Sequence, residues 1–226
     1  MVSIFNWLLP LSVVITLGTF LKHHGELGYL MYVILFGIFY NIGKLPIFND
    51  QKLRRNGYLA LGSVGTVVML LIMSFSGVWD FEWNSALFSS REFLMTILLY
   101  AMGLALLMYL QKRRLLQLAN LFQYAFIIFA IVFFSGMGNS VVATVIVNLL
   151  VLTLGLITIR LGADKFHFGI LNYGLVILTA LIVSRFFDTD MSFATRGLLF
   201  VAVGIGFFVT NYVMLKKKKA TLTPKL

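Results

Sequence analysis

The run from Ser140 to Arg160 decides the fold class: it reads SVVATVIVNLLVLTLGLITIR, and its only charged residue is the last. A helix needs about 20 mostly apolar residues to cross the roughly 30 Å hydrocarbon core of a bilayer. A strand of a membrane barrel would instead alternate apolar and polar side chains over about ten residues. This run is apolar on all sides, and it therefore predicts a transmembrane helix.

Seven further stretches of the chain have the same character. The eight predicted spans cover residues 4–21, 28–43, 58–78, 93–110, 115–135, 140–160, 168–186 and 194–215. Because the connections are short, consecutive helices are expected to be antiparallel neighbours. We therefore expect an all-α membrane protein whose eight transmembrane helices form four antiparallel hairpins. Residues 1–219 are expected to form a single polytopic domain, with 220–226 as a cytoplasmic tail.

The composition excludes several classes of protein. Hydrophobic residues make up 60% of the 226 residues and charged residues only 12%, whereas soluble domains carry about 25% charged residues. A soluble enzyme, a soluble binding module and a disordered protein are excluded on this ground. The chain has no cysteine, which excludes disulfides, thiolate nucleophiles and cysteine-bound metal centres.

Basic residues collect on one side of the predicted spans. The loops after the second, fourth and sixth spans and the C-terminal segment together have a net charge of +12, whereas the other loops have −2. Cytoplasmic loops of membrane proteins are enriched in Lys and Arg, so both termini are predicted to be cytoplasmic, in the inner membrane of a bacterium. Lys216, Lys217, Lys218 and Lys219 are predicted to contact anionic lipid headgroups. No base-reading pattern accompanies them, so nucleic acid is not expected as a partner.

The predicted membrane interior contains neutral polar side chains but no ionisable residue near the middle of a span. Proton relays and ion pathways need such ionisable groups, so proton-coupled transport is disfavoured. Asn148, Gln123, Tyr124 and Tyr100 are candidates for a substrate groove, although hydrogen bonds between helices are the alternative role for a buried Asn. Three pairs of small residues four apart predict close helix packing: Ala101 with Ala105, Ala202 with Gly206, and Gly62 with Thr66.

The odd-numbered helices begin alike, each with an Asn near an apolar or aromatic residue. These asparagines are Asn6, Asn56, Asn120 and Asn172. The similarity favours four tandem hairpins, with chance resemblance in an apolar alphabet as the alternative. At a helix start an Asn side chain accepts backbone N–H groups, which predicts that the four asparagines cap their helices. Trp7 is predicted to anchor the inner end of the first helix at the membrane interface, and Trp79 and Trp83 the outer end of the third.

A charged cluster lies in the last outer loop and contains Arg185, Asp188, Asp190 and Arg196. Its charges balance across one tight turn, which favours a structural role. Asp188 and Asp190 also have the spacing with which paired carboxylates hold a divalent ion. His23 and His24 are predicted on the same side, but adjacent His residues on a helix point in different directions. We therefore expect no metal site, no cofactor and no catalytic residue.

The last hairpin resembles a known family. Asn172-Tyr173-Gly174, Arg185-Phe186-Phe187-Asp188, Arg196-Gly197, Asn211 and the lysine run are its main features, with Ser192 and Gly204 between them. This pattern over residues 167–219 resembles the C-terminal hairpin of a family of uncharacterised, multi-spanning bacterial membrane proteins. The resemblance implies a fold and a location, and it assigns no catalytic residue.

Three functions are compatible with these observations. The first is a non-catalytic accessory or assembly component of a membrane complex, with a membrane-protein partner or a second copy of the chain as its contact. The second is a carrier or flippase for a lipid-like or neutral small solute, which would use the candidate groove. The third is an outer-face enzyme that would use Asp188 and Asp190.

Overall fold

The structure is a computed structural model. It describes residues 2–21, 25–48, 55–81, 85–117, 120–136, 139–188 and 193–222. Within these ranges the chain forms α-helices and short 3-10 turns, and no strand. The α-helices are α1 (Val2–Phe20), α2 (Gly25–Ile42), α3 (Gly57–Ile72), α4 (Arg91–Lys112), α5 (Ala125–Ser135), α6 (Ser140–Asp164), α7 (Phe168–Asp188) and α8 (Phe193–Leu222). The prediction of an all-helical fold is confirmed.

Four helices of the described residues are long and apolar enough to cross a membrane. They are Gly25–Ile42, Arg91–Lys112, Ser140–Asp164 and Phe168–Phe186. Shorter apolar helices cover Ile4–Phe20, Gly57–Ile72 and Ala125–Ser135. Each predicted span therefore coincides with a helix, but within the described ranges four helices, and not the eight predicted, have the length and composition of a span.

Three of the predicted spans differ clearly in extent from the helices observed. The span predicted at 58–78 corresponds to α3, which ends at Ile72. The span predicted at 115–135 becomes helical only at Leu121–Gln123, a 3-10 turn, and α5 follows from Ala125. With its 11 residues, α5 alone is about 16 Å long. The last helix continues beyond the predicted 215 to Leu222, so the four lysines extend α8.

The chain divides into two compact units, Met1–Val147 and Asn148–Leu226. The expectation of a single polytopic domain over residues 1–219 stays a prediction.

Helix α2 is the centre of the first unit. Every residue from Val33 to Asn41 is buried, which is more than two full turns, so no face of this segment is exposed. Helices α1, α3, α4 and α5 all pack against it. Met31 and Leu35 of α2 form a cluster with Leu17 of α1.

The closest approach in this unit joins α2 to α3 at Gly62. A Cβ atom at Gly62 would clash with the backbone nitrogen of Tyr40 and would lie 2.7 Å from Tyr40 Cα. Thr66, one turn further along α3, is also buried. The small pair Gly62–Thr66 therefore forms a packing face, as predicted. The pair Ala101–Ala105 is exposed on α4, so its predicted packing role is wrong.

Phe126 joins α5 to two other helices. Its ring is fully buried. A Cβ atom at Gly37 of α2 would lie 2.7 Å from Phe126 Cδ1, and one at Gly103 of α4 would lie 2.9 Å from Phe126 Cε2. The ring therefore occupies space that only glycine leaves open on both neighbours, and it fixes the distances among α2, α4 and α5.

Only one of the four asparagines predicted to cap helices does so through a side-chain bond among the described residues. Asn56 accepts a hydrogen bond from Leu59 N at 3.0 Å and caps α3. Asn6 and Asn172 lie inside α1 and α7, and Asn120 begins a 3-10 turn without a side-chain cap bond. The prediction is wrong for these three positions. The amides of Asn120 and Asn172 bond to other helices instead.

Trp79 is not an exposed anchor. Its side chain is 4% exposed, its indole Nε1 donates to Met73 O at 2.8 Å, and its ring packs against Phe129. The 3-10 turn Ser76–Trp79 after α3 directs the ring inward. Trp83 lies outside the described residues, and Trp7 is partly exposed on α1, as an anchor would be.

In the second unit, glycines allow α6 and α7 to approach closely. A Cβ atom at Gly162 would clash with the backbone nitrogen of Leu171, and one at Gly174 would lie 2.7 Å from the backbone nitrogen of Ile159. Gly155 lies against the same part of α7, because its carbonyl oxygen is 2.9 Å from the Cβ position of Gly174. Small residues at such contacts allow the van der Waals packing that stabilises helix pairs in membranes.

The turn between α6 and α7 serves both helices. His167 N donates to Gly162 O at 2.9 Å and Phe166 N to Ala163 O at 3.2 Å, with Phe166 at a φ of 49°. These bonds form a Schellman motif at the end of α6. His167 Nδ1 then accepts from Ile170 N at 3.2 Å and caps α7. His167 therefore takes part in the C-terminal cap of α6 and also caps the N-terminus of α7.

An amide pair connects α7 to α8. Asn211 Nδ2 donates to Asn172 Oδ1 at 3.0 Å and also to Phe207 O at 3.0 Å. Such interhelical bonds contribute about 0.6–2 kcal/mol in membranes. Gly206 has no neighbouring atom within 4 Å of its Cβ position, and the side chain of Ala202 lies outside the described part, so nothing supports a packing role for that small pair.

The variant Gly62→Ala tests the approach of α3 to α2. The added methyl group would force the two backbones apart, and overpacking of this kind costs about 1–3 kcal/mol. The matched control is Gly204→Ala in α8, where a Cβ atom meets nothing within 4 Å; there the higher helix propensity of Ala is expected to leave stability equal or raised by up to about 1 kcal/mol. Unfolding of both purified variants in a denaturing detergent titration measures the difference. If Gly62→Ala unfolds no earlier than Gly204→Ala, the contact is not as close as described.

Candidate functional site

One stripe of α2 organises the candidate site. Leu30, Ile34, Gly37 and Asn41 follow each other at spacings of four, three and four residues, which places them on one helix face. The first two residues line an apolar groove, the third holds the Phe126 ring, and the last belongs to a polar cluster.

The apolar groove lies among α2, α4 and α5 and has a volume of about 270 Å³. Ile34 forms part of its floor, Ile97 and Tyr100 form one wall, and Ala130 belongs to the opposite wall. It is open on the side of the exposed α4 and α5 surfaces. The Thr96 hydroxyl, which also reaches the groove, donates to Glu92 O at 2.8 Å. The lining therefore offers mainly hydrocarbon, which suits an acyl chain rather than a polar solute.

The polar cluster, here called the amide cluster, consists of Asn41, Asn120 and Gln123, with Tyr40 bound to it. The Tyr40 hydroxyl donates to Asn120 Oδ1 at 3.0 Å. Asn41 Nδ2 donates to Gly37 O at 2.9 Å and to Gln123 O at 3.1 Å. These bonds tie the end of α2 to the 3-10 turn that precedes α5. All three amides are buried, so the cluster is a part of the interior and not of the surface.

Basic and aromatic groups surround the amide cluster. The ring of Tyr40 stacks against Phe122 with 5.1 Å between ring centroids, and Lys44 Nζ lies 5.5 Å from the centroid of the Tyr40 ring. The stacking holds the phenol in position, and the ammonium group adds a cation–π contact. The amide cluster thus lies at the end of α2 that leads into a basic loop.

The predicted groove residues have separate environments in the first unit. Tyr100 lines the apolar groove and packs edge to face against Phe126 at 6.0 Å. Gln123 belongs to the amide cluster, where its Oε1 accepts from Gln117 N at 3.0 Å. Tyr124 follows it as a half-buried residue before α5. Asn148 belongs to the second unit, so its predicted place in a groove with the other three stays a prediction.

The predicted outer cluster lies largely outside the described part of the chain. Arg185 is half-buried in the last turn of α7. Asp188 ends α7 and Arg196 lies near the start of α8, but their side chains are not described, and Asp190 lies outside the described residues. Within the described residues no group of three or more His, Cys, Asp or Glu side chains is arranged to hold a metal ion. The predicted pairing within this cluster stays a prediction.

Of the predicted lipid-contacting lysines, Lys216 is exposed on α8. Lys217, Lys218 and Lys219 continue the helix, and their side chains lie outside the described part. Their contact with lipid headgroups stays a prediction.

Two features escaped the sequence analysis. The first is the role of Asn41 in the amide cluster. An Asn next to a Tyr near the end of a predicted span was a sequence signal that could have indicated a polar cluster there. The second feature is a cavity of about 450 Å³ in the second unit, lined by residues of α6, α7 and α8 that include Asp164, Leu171 and Thr210. Its lining is mostly apolar, and the Thr210 hydroxyl donates to Gly206 O at 2.7 Å. No sequence pattern marks it, because its residues come from three helices.

Comparison of the chain with protein-family models, with curated proteins and with solved structures finds no significant match. The resemblance of residues 167–219 to a bacterial membrane family therefore stays a prediction.

The variant Tyr40→Phe tests the amide cluster. It removes the hydroxyl that donates to Asn120 Oδ1, and a buried acceptor left without its donor costs about 1–3 kcal/mol. Tyr109→Phe is the matched control, because the Tyr109 ring is exposed on α4 of the same unit, and we expect it to leave stability unchanged. Thermal unfolding in detergent compares the two. Equal midpoints for the two variants would contradict a structural role of this hydrogen bond.

Proposed function

We propose that the chain is a non-catalytic, multi-pass protein of the bacterial inner membrane and serves as an accessory or assembly component of a membrane complex. In this proposal all eight helices are spans and both termini are cytoplasmic. The observation that carries the proposal is that polar side chains of the helices form hydrogen bonds within the protein. A protein whose spans keep their polar side chains for their own packing is suited to holding a structure together.

Threonine hydroxyls illustrate this internal use. Seven of them donate to the carbonyl oxygen four residues earlier in their own helix: Thr16, Thr66, Thr96, Thr153, Thr158, Thr179 and Thr210. The amides of Asn41 and Asn211 likewise bond within the protein. Catalysis and solute recognition need polar groups that point into an accessible space.

Single-cysteine labelling tests the topology, since the chain has no cysteine of its own. Thr189→Cys lies in a predicted outer loop and Ala220→Cys in the predicted cytoplasmic tail. In spheroplasts a membrane-impermeant maleimide is expected to label only Thr189→Cys, and both variants after the membrane is opened. Labelling of Ala220→Cys in sealed spheroplasts would contradict the proposed orientation.

Purification from native membranes in a mild detergent tests the accessory role. We expect a membrane protein to co-purify in fixed proportion, and to be lost in a Gly62→Ala variant that is membrane-inserted but loosely packed. Gly204→Ala is expected to retain it. Recovery of the chain alone, together with solute uptake by liposomes that contain it, would contradict this function.

A second candidate function is a carrier for a lipid-like molecule, and the apolar groove favours it. Ile97 and Leu98 are neighbours on α4 with exposed fractions of 53% and 52%, but only Ile97 lines the groove. Ile97→Trp is therefore expected to fill the groove and lower the occupancy of a re-added phosphatidylethanolamine several-fold, as measured by native mass spectrometry. Leu98→Trp is the control with unchanged occupancy. Equal occupancy in both variants would remove the support for lipid binding in this groove.

A further inference from the structure

The amide cluster contains three buried polar atoms that have no hydrogen-bond partner among the described residues. They are Asn41 Oδ1, Asn120 Nδ2 and Gln123 Nε2. The three residues are 1%, 4% and 0% exposed, so bulk water does not reach them. More than nine in ten buried polar groups in proteins have a partner, and three exceptions in one cluster require a common explanation.

The contacts of the cluster bring the three side chains together. Asn41 Nδ2 is 3.1 Å from Gln123 O, and Asn120 is held to the residue before Asn41 through the Tyr40 hydroxyl. Asn120 directly precedes the 3-10 turn Leu121–Gln123, and Gln123 N donates to Asn120 O at 3.1 Å. These contacts place the three amides in one buried cluster.

Bonds to backbone groups fix the amide orientations of Asn41 and Gln123, and the Asn120 amide places its oxygen toward the Tyr40 hydroxyl. Asn41 Nδ2 donates to two carbonyl oxygens, so its Oδ1 is the atom left over. Asn120 Oδ1 accepts from Tyr40, and Gln123 Oε1 accepts from the backbone nitrogen of Gln117, so each leaves an NH₂ group. The cluster thus presents one carbonyl acceptor and two NH₂ donor groups.

The one carbonyl oxygen and two NH₂ groups determine which kind of ligand the cluster can bind. A cation would meet two NH₂ groups, and an anion would meet the Asn41 carbonyl, so both are disfavoured. A hydroxyl oxygen donates one hydrogen bond and accepts two, which complements one acceptor and two donors. Buried water molecules make about three hydrogen bonds to otherwise unsatisfied polar groups.

We propose that Asn41, Asn120 and Gln123 form a binding site for one hydroxyl oxygen, supplied by a water molecule or by the hydroxyl of a lipid headgroup. The bound oxygen bridges the end of α2 to the turn before α5. This proposal rests on neither the accessory nor the carrier function, because it is argued from the three unpartnered atoms of the amide cluster.

Magnetisation transfer from water to the side-chain amide protons of Asn and Gln tests the site. The full chain, labelled with ¹⁵N at these amides, is placed in dodecylphosphocholine micelles, whose detergent has no hydroxyl group. We expect cross-peaks between a long-lived water and the amide protons of Asn120 and Gln123. If they appear only after phosphatidylglycerol is added, with its glycerol hydroxyls as the source, the hydroxyl site stands and the ligand is the lipid. No cross-peak under either condition would overturn the proposal.

The variant Gln123→Met tests whether the residues share one ligand. It removes one donor with little change in volume, and we expect the cross-peak of Asn120 to be lost as well, because the same oxygen contacts both. Gln111→Met, at an exposed position of α4, is the control and should keep it. An Asn120 cross-peak that survives in Gln123→Met would overturn a shared site. If Gln123→Met does not fold, the unmodified chain in the two lipid conditions still decides the proposal.

Discussion

The first unit depends on the complete burial of one helix. Between Val33 and Asn41 no face of α2 is exposed, so α1, α3, α4 and α5 must all come close to it. Within a bilayer the lipid tails are as apolar as the side chains, and helix association depends on close van der Waals packing. Gly62 and Gly37 supply that closeness, the first by admitting the Tyr40 backbone and the second by admitting the Phe126 ring. Without these contacts the central position of α2 would have no physical basis.

Burial of the whole helix also explains where the polar groups lie. The C-terminal end of α2 carries Tyr40 and Asn41, and in this position neither side chain has access to bulk solvent. Their polar atoms must therefore bond within the interior, since an unsatisfied buried group costs free energy. The 3-10 turn with Asn120 and Gln123 supplies the partners. The Phe126 ring of α5 packs against Gly37, which lies on the α2 stripe between the amide cluster and the apolar groove, so the two environments occupy successive turns of α2.

The sequence predicted the number and place of the helices because length and hydropathy alone determine them. It did not predict which helix is central. The run of α2 is less hydropathic than that of α6, yet it is the more buried, because its Tyr and Asn side chains find hydrogen-bond partners inside the protein. The same reasoning explains Trp79, whose ring was expected at the interface but is enclosed by aromatic side chains. Asn120 and Asn172 were likewise expected to cap helices, but their side chains bond to residues of other helices. None of these pairings has a local sequence signature.

Lipid-phase footprinting tests the central position of α2 most directly. The unmodified protein in native membranes would be exposed to a membrane-soluble diazirine, and the insertion into each helix measured by mass spectrometry of its peptides. Burial of α2 predicts little insertion between Val33 and Asn41, and insertion at several exposed α4 residues such as Leu94, Ile97 and Met108. Insertion into the α2 segment equal to that into α4 would contradict the account.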